Sequence, residues 1–153
     1  IETLIQKKDS ILSAGESDSL ELAESIFEYF ANNKTDVDTS AVQTILWAME
    51  FCATHGKGEP VAKIAKDIVQ IDSTLLPKAE LITALAYIDM GHSGYAYMLA
   101  RQIQHKYIGT EISNRARGIA DKLEAKLPNI SVPKSNQNTG TEKSSSQENQ
   151  QSQ

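Results

Sequence analysis

The sequence contains a single cysteine, Cys52, so the chain cannot form an internal disulfide or a zinc site built on cysteines. Cys52 lies in the apolar segment AMEFCA, which favours a small buried side chain over a reactive thiol. No apolar run approaches the roughly 18 residues that a membrane-spanning helix needs. We therefore expect no direct insertion of the chain into a membrane.

Motifs of catalytic and cofactor sites are also missing. The segment HGKGEP at 55–60 lacks the GxxxxGK[ST] pattern and a preceding strand, so it does not predict phosphate binding. His55 and His92 each neighbour a glycine, but packed helices lie roughly 10 Å apart, which is too far for one metal ion to join both rings. No Ser, His and Asp set and no pair of carboxylates has supporting local context. We expect a non-catalytic protein without a metal or a cofactor.

An excess of positive charge is lacking as well, because the net charge is -5 at pH 7. Residues 1–60 carry 4 lysines and 11 acidic residues, whereas residues 61–127 carry 9 basic and 7 acidic residues. An acidic chain repels the phosphate backbone of nucleic acid. The basic residues near the end of the fold have no aromatic or glycine pattern typical of base stacking. A nucleic-acid partner is therefore not expected.

Strand signals are absent and helix signals are frequent. No run of β-branched or aromatic residues alternates with polar ones, and no Asn-Gly or Asp-Gly pair signals a hairpin. Apolar residues instead recur at helical spacings of three and four, which predicts an all-α protein. The seven predicted helices span about 1–14, 20–31, 40–54, 60–71, 75–90, 92–107 and 111–127.

The last 26 residues differ in composition from the rest of the chain. Residues 128–153 contain only two aliphatic side chains, Ile130 and Val132, and no aromatic one. Ordering a backbone costs about 1–2 kcal/mol per residue, which so few apolar groups cannot offset. The sequence therefore predicts a helical domain at 1–127 and a disordered polar tail at 128–153. The chain opens on Ile1, which predicts a processed or trimmed form.

Two of the predicted hairpins share a period of 35 residues. Superposing Gly56 on Gly91 also superposes Ala65 on Ala100, and a helix ends at each glycine and restarts within five residues. A third hairpin, with Gly15 at its turn, fits after an offset of about one residue. Adjacent helical hairpins with a common period are typical of a solenoid.

The fifth and sixth predicted helices together resemble one tetratricopeptide repeat. When Gly91 is aligned with the glycine between the two helices of that repeat, Ala84 and Ala96 fall on its small positions and Tyr87 on its tyrosine. Small residues there would let the two helices approach closely. Thr83 departs from the family, which prefers leucine at this position, and no proline ends the repeat.

The resemblance implies an α-solenoid of about three helical hairpins, with the seventh predicted helix as a carboxy-terminal cap and a disordered tail behind it. The sequence LAYIDMG followed by two more helices is also reminiscent of the carboxy-terminal module of bacterial polar hub and pilus-assembly proteins. The fifth predicted helix is apolar over much of its circumference, so we expect it to pack on more than one side.

The same resemblance implies a groove lined by the first helix of each hairpin, which would bind a peptide or helix of a partner. Leu81, Leu85 and Ile88 would form an exposed apolar strip in this groove, which is typical of a binding surface. The alternative is that the seventh helix or a dimer partner covers these three side chains. The ten groove positions are Gln43, Leu46, Glu50, Ala53, Thr54, Lys78, Leu81, Leu85, Ile88 and Asp89.

The expected function is a non-catalytic protein-protein interaction module, an adaptor, scaffold or chaperone-like protein with a protein or peptide partner. The alternative is a structural or self-assembling component of a larger complex, such as a bacterial envelope, pilus or secretion assembly. The sequence leaves open whether copies of the chain associate. It also leaves the compartment open and slightly favours the cytoplasm.

Overall fold

A computed structural model describes residues 16–126 of the chain. This part is all-helical and contains no strand, which confirms the all-α prediction. The first predicted helix, at 1–14, and the predicted disordered tail, at 128–153, lie outside the described residues. None of the described helices is long and apolar enough to cross a membrane.

Six α-helices follow one another along the described chain, with three short 3-10 helices between them. Aspartates begin two of the 3-10 helices, because the carboxylates of Asp38 and Asp72 accept hydrogen bonds from the backbone N–H groups of Ser40 and Thr74. The α-helices are α1 (Glu16–Asn32), α2 (Val42–Thr54), α3 (Gly58–Ile64), α4 (Leu76–Asp89), α5 (Ser93–Lys106) and α6 (Glu111–Lys126). The 3-10 helices are Thr39–Ala41, Ala65–Gln70 and Ser73–Leu75.

The fourth predicted helix is divided in two. The α-helix α3 ends at Ile64 and the chain continues as the 3-10 helix Ala65–Gln70. A 3-10 helix has three residues per turn, so Ala65 and Ile68 lie on the same side of it. Both side chains are fully buried. The tighter turn therefore keeps the apolar stripe of this segment against the core.

The two glycine turns have the same backbone geometry 35 residues apart. Gly56 has a φ of 90° and Gly91 a φ of 81°, a region that favours glycine. The N–H group that follows each glycine donates to a carbonyl five residues earlier, from Lys57 to Cys52 at 3.0 Å and from His92 to Tyr87 at 2.9 Å. Both helices thus end in a Schellman turn, as expected where a helix stops at a glycine.

Helix α4 lies at the centre of the described chain. It contacts α2, α3 and the 3-10 helix Ala65–Gln70 on one side and α5 and α6 on the other. Ala79, Ile82 and Ala86 belong to the main core with α1, α2 and α3. Leu81 and Ala84 instead pack with residues of α5 and α6. The expectation that this helix packs on more than one side is confirmed.

Candidate functional site

The ten positions of the predicted groove come from two helices that lie side by side, α2 and α4. Their exposure differs widely. Leu46, Ala53 and Leu81 are buried, whereas Gln43 and Thr54 are exposed. Glu50, Lys78, Leu85, Ile88 and Asp89 are partly buried.

Leu81 is part of the core and not of an open strip. It is fully buried in a cluster with Ile103 of α5 and Ala116 of α6. Leu85 packs against the main core, and Ile88 packs against the cluster between α5 and α6. The side chain of Leu81 is therefore covered by α5 and α6. This agrees with the alternative that the seventh predicted helix covers it. Leu46 and Ala53 are likewise enclosed in the main core.

Glu50 and Lys78, two further groove positions, are bonded to each other and to the last helix. The Lys78 Nζ lies 2.7 Å from Glu50 Oε2, and the guanidinium of Arg115 on α6 bonds the other carboxylate oxygen. Partial burial would raise the pKa of Glu50, but the hydrogen bonds from Arg115 and Lys78 outweigh it and hold that pKa below its usual value. This ionic cluster of α2, α4 and α6 closes part of the predicted groove.

Asp89 has a role within the fold. Its two carboxylate oxygens accept hydrogen bonds from the backbone N–H groups of Gly56 and Gly58, each at 2.8 Å. These N–H groups lie at the start of α3, where unpaired donors favour a negative charge. Asp89 therefore ties the end of α4 to the turn of the preceding hairpin. Of the ten groove positions, Gln43 and Thr54 are the ones whose side chains are exposed.

A more exposed apolar surface lies along α5. Among the described residues, the large apolar side chains that are exposed are Tyr95 at 50%, Met98 at 58% and Ile108 at 77%. Tyr95 and Met98 lie three residues apart on one side of α5, and Ile108 lies in the turn that follows it. We call these three residues the outer face of α5. Tyr95 also packs edge-to-face on Tyr87, with the ring centroids 4.6 Å apart, so its ring is held in place.

An open cavity of about 110 Å³ lies one helical turn from Tyr95 and Met98, because its lining residues Leu99 and Gln102 follow them by four residues on α5. Its residues come from α4, α5 and the 3-10 helix Ala65–Gln70, so three elements fix its shape. The hydroxyl of Thr83 already donates to the carbonyl of Ala79 at 2.8 Å, which leaves its methyl group as part of a largely apolar floor. The lining residues are Lys66, Glu80, Thr83, Leu99, Gln102, Ile103 and Lys106.

The rim of the cavity carries one cation that has no carboxylate partner in the described chain. Lys106 pairs with Glu80 at 2.8 Å, so these two charges balance each other. Four cations of residues 16–126 form no ion pair within that range, and Lys66 is the one that lines the cavity; the other three, Arg117, Lys122 and Lys126, lie on α6. The cavity thus combines an apolar floor with one positive charge at its edge.

The sequence contains a signal for the outer face of α5. Met98 lies on the polar side of the sixth predicted helix, and Tyr95 lies at the edge of its apolar stripe. Large apolar residues among polar positions of an amphipathic helix indicate a surface for binding more directly than apolar residues on a helix that is apolar all round. Lys66 had no comparable signal, because its lack of an ion pair within residues 16–126 depends on the three-dimensional arrangement.

Cys52 is fully buried, and this burial raises the pKa of its thiol to about 12. The prediction of a buried cysteine is therefore confirmed. Within residues 16–126, no group of three or more histidine, cysteine, aspartate or glutamate side chains could hold a metal ion. The ring of His55 stacks on Phe51 with centroids 3.9 Å apart.

Comparison with family models, with curated proteins and with solved structures finds no match to this chain.

Proposed function

We propose that this protein is a non-catalytic protein-protein interaction module with a tetratricopeptide-like helical repeat. The repeat is supported by the two Schellman turns at Gly56 and Gly91, which recur after 35 residues with the same hydrogen bond. The neighbouring positions of α2 and α4, the first helices of the two hairpins, also support it. In this proposal the hairpins stack as a solenoid and α6 caps it.

The observation that carries the proposal is the outer face of α5. Isolated apolar residues are common on protein surfaces, but these three follow one helix and its turn beside a cavity. Partner sites on helical proteins combine such apolar anchors with a polar rim. We place the partner site here and not in the groove between α2 and α4, because the charged groups of that groove are bonded within the chain.

The test measures partner binding by full-length variants. Affinity purification and mass spectrometry identify the partner, and its affinity is then measured with the purified proteins. Met98→Glu should weaken binding by roughly tenfold or more, because hot-spot truncations cost about 2 kcal/mol. Gln43→Glu introduces the same residue at an exposed position of the predicted groove, so it is the matched control and should leave the affinity unchanged.

The opposite result would overturn the proposed site. If Gln43→Glu weakened binding and Met98→Glu did not, the partner would bind the groove of the first helices. Far-UV circular dichroism of both variants keeps the result interpretable, since both side chains are exposed and neither change should alter helicity.

A self-assembling component is the second candidate, and Ile108 is the observation that favours it. Its side chain is 77% exposed in the turn after α5, where a second copy could cover it. Light scattering over a range of concentrations separates the two functions. A strict monomer removes self-assembly, whereas association that Ile108→Ser abolishes and Gln43→Glu preserves would support it.

A further inference from the structure

We infer that the cavity between α4, α5 and the 3-10 helix Ala65–Gln70 takes one aliphatic side chain of a partner that has carboxylates beside it. This inference rests on the proposed function and names the kind of segment that the site recognises. The occupant is an acidic stretch of a protein with a leucine-like anchor. Its anchor enters the cavity, and its carboxylate lies near Lys66.

The size and lining of the cavity support an aliphatic anchor. A volume of about 110 Å³ is below the ~150 Å³ of an apolar cavity that holds a benzene molecule, so one branched aliphatic side chain suits it better than an aromatic ring. Leu99 and Ile103 supply apolar contacts, and the hydroxyl of Thr83 is already bonded within its helix. The floor therefore requires no polar group from its occupant.

The charges at the rim support a carboxylate beside that anchor. Glu80 is already paired with Lys106, whereas Lys66 is exposed and has no ion pair among the described residues. A carboxylate at the rim would form with Lys66 an ion pair that no carboxylate of residues 16–126 supplies. The exposed amide of Gln102 can bond the backbone of the same segment.

The test uses three capped pentapeptides, Glu-Glu-Leu-Glu-Glu, Lys-Lys-Leu-Lys-Lys and Glu-Glu-Ala-Glu-Glu, titrated into the full-length protein and followed by NMR. We expect the acidic leucine peptide to bind most tightly and to shift the signals of Thr83, Leu99 and Ile103. The alanine peptide should bind more weakly because it leaves the cavity empty. The lysine peptide should bind more weakly because Lys66 repels it.

Two charge reversals test the role of Lys66. Lys66→Glu should weaken binding of the acidic leucine peptide roughly two- to fivefold, the range of an exposed ion pair, and should strengthen binding of the lysine peptide. Lys63→Glu reverses the charge of an exposed lysine on α3. It should change the affinities of both peptides less than Lys66→Glu does. Both positions are at the surface, so both variants should fold.

Several results would overturn the inference. Equal affinities of the leucine and alanine peptides would exclude the aliphatic anchor, and equal effects of the two reversals would exclude a specific role of Lys66. Absence of binding by all three peptides, or shifts located elsewhere, would exclude the cavity. If the cavity fails while Met98→Glu still weakens binding of the purified partner, the proposed function stands without this inference. If Met98→Glu also has no effect, the proposed site fails with it.

Discussion

Gly58 lies where α3 begins against α4, and the two backbones approach closely there. A Cβ atom at this position would lie 2.4 Å from the carbonyl oxygen of Ala86 and 2.9 Å from a carboxylate oxygen of Asp89. Neither atom can move easily, because Ala86 is fully buried and Asp89 bonds two N–H groups of the same turn. Gly58 is therefore required by the packing of two hairpins and not by its own turn.

Gly58→Ala should destabilise the protein by about 1–3 kcal/mol, the usual cost of overpacking. Gly118→Ala is the matched control, because no atom lies within 4 Å of a Cβ at this exposed position in α6. Alanine there should stabilise the helix by about 0.5–1 kcal/mol. Urea unfolding of both variants measures the two effects. A neutral Gly58→Ala variant would contradict the close approach of α3 and α4.

Glu50 makes the stability of the protein depend on pH. Its folded-state pKa lies below the ordinary value of 4.5, mainly because its hydrogen bonds to Arg115 and Lys78 outweigh burial. A group with a lowered folded pKa contributes stability above its unfolded pKa, and this contribution is lost as the pH falls through the folded pKa. The ionic cluster should therefore stabilise the fold at neutral pH and weaken in acid.

Glu50→Gln should destabilise the protein by about 1.5–3 kcal/mol at pH 7, in the range of hydrogen bonds to charged groups. The difference from the unchanged protein should stay constant above pH 5 and shrink as the pH falls below 4.5. Thermal unfolding at a series of pH values measures this difference. A constant difference down to the acid limit would show that the carboxylate is not held ionised by its two partners.

These residue roles could not be predicted from the sequence. Asp89 and Gly58 are 31 residues apart, and Glu50 and Arg115 are 65 residues apart. Neither pair leaves a spacing pattern, because each contact depends on how the hairpins pack. The resemblance therefore placed Glu50 and Asp89 in a partner-binding groove and not in contacts within the fold. The burial of Cys52 was predictable, since the apolar segment around it already indicates a buried side chain.

At the scale of the elements, α4 is the helix whose two sides serve different parts of the core. One side belongs to the main core, and Leu81 and Ala84 on the other contact α5 and α6. A helix that is apolar all round predicts such double packing but does not show which neighbour covers which side. Whether Leu81 lies in the core or in a groove therefore depends on its contacts with α5 and α6, which the sequence left open.

Leu81→Ala should cost about 2–5 kcal/mol, because it leaves a cavity in a fully buried cluster. Leu85→Ala, one turn further along α4, should cost clearly less, since Leu85 is partly exposed. Both substitutions change leucine to alanine in the same helix. The difference between their free energies of unfolding, measured by chemical denaturation, therefore reports the difference in burial. Equal costs for the two substitutions would argue against the covering of Leu81 by α5 and α6.

The helices themselves were predictable to a large extent. The glycines at 56 and 91 and the apolar spacings give the ends of α2 and α4 and the stripe of α5. The change from α-helix to 3-10 helix after Ile64 was not predictable, because Ala65 and Ile68 suit either geometry as a buried pair. The choice between α-helix and 3-10 helix depends less on helix propensity than on packing against α4.

At the scale of the whole molecule, the described residues include two candidate binding surfaces. They differ in whether their side chains are already paired or buried within the chain. The positions predicted to line a groove between α2 and α4 hold an ionic cluster, and two of them, Leu46 and Leu81, are buried in the core. The outer face of α5 exposes Tyr95, Met98 and Ile108, and one helical turn away lies a cavity whose Lys66 has no ion pair with residues 16–126. We therefore propose that the partner binds the outer face of α5.

Site-specific photo-crosslinking tests this assignment most directly. A benzophenone amino acid is placed at Met98 in one full-length protein and at Gln43 in another, and each is irradiated with the co-purified partner. We predict an adduct with the partner from position 98 and none from position 43. An adduct from position 43 alone would contradict the account and return the binding site to the groove of the first helices.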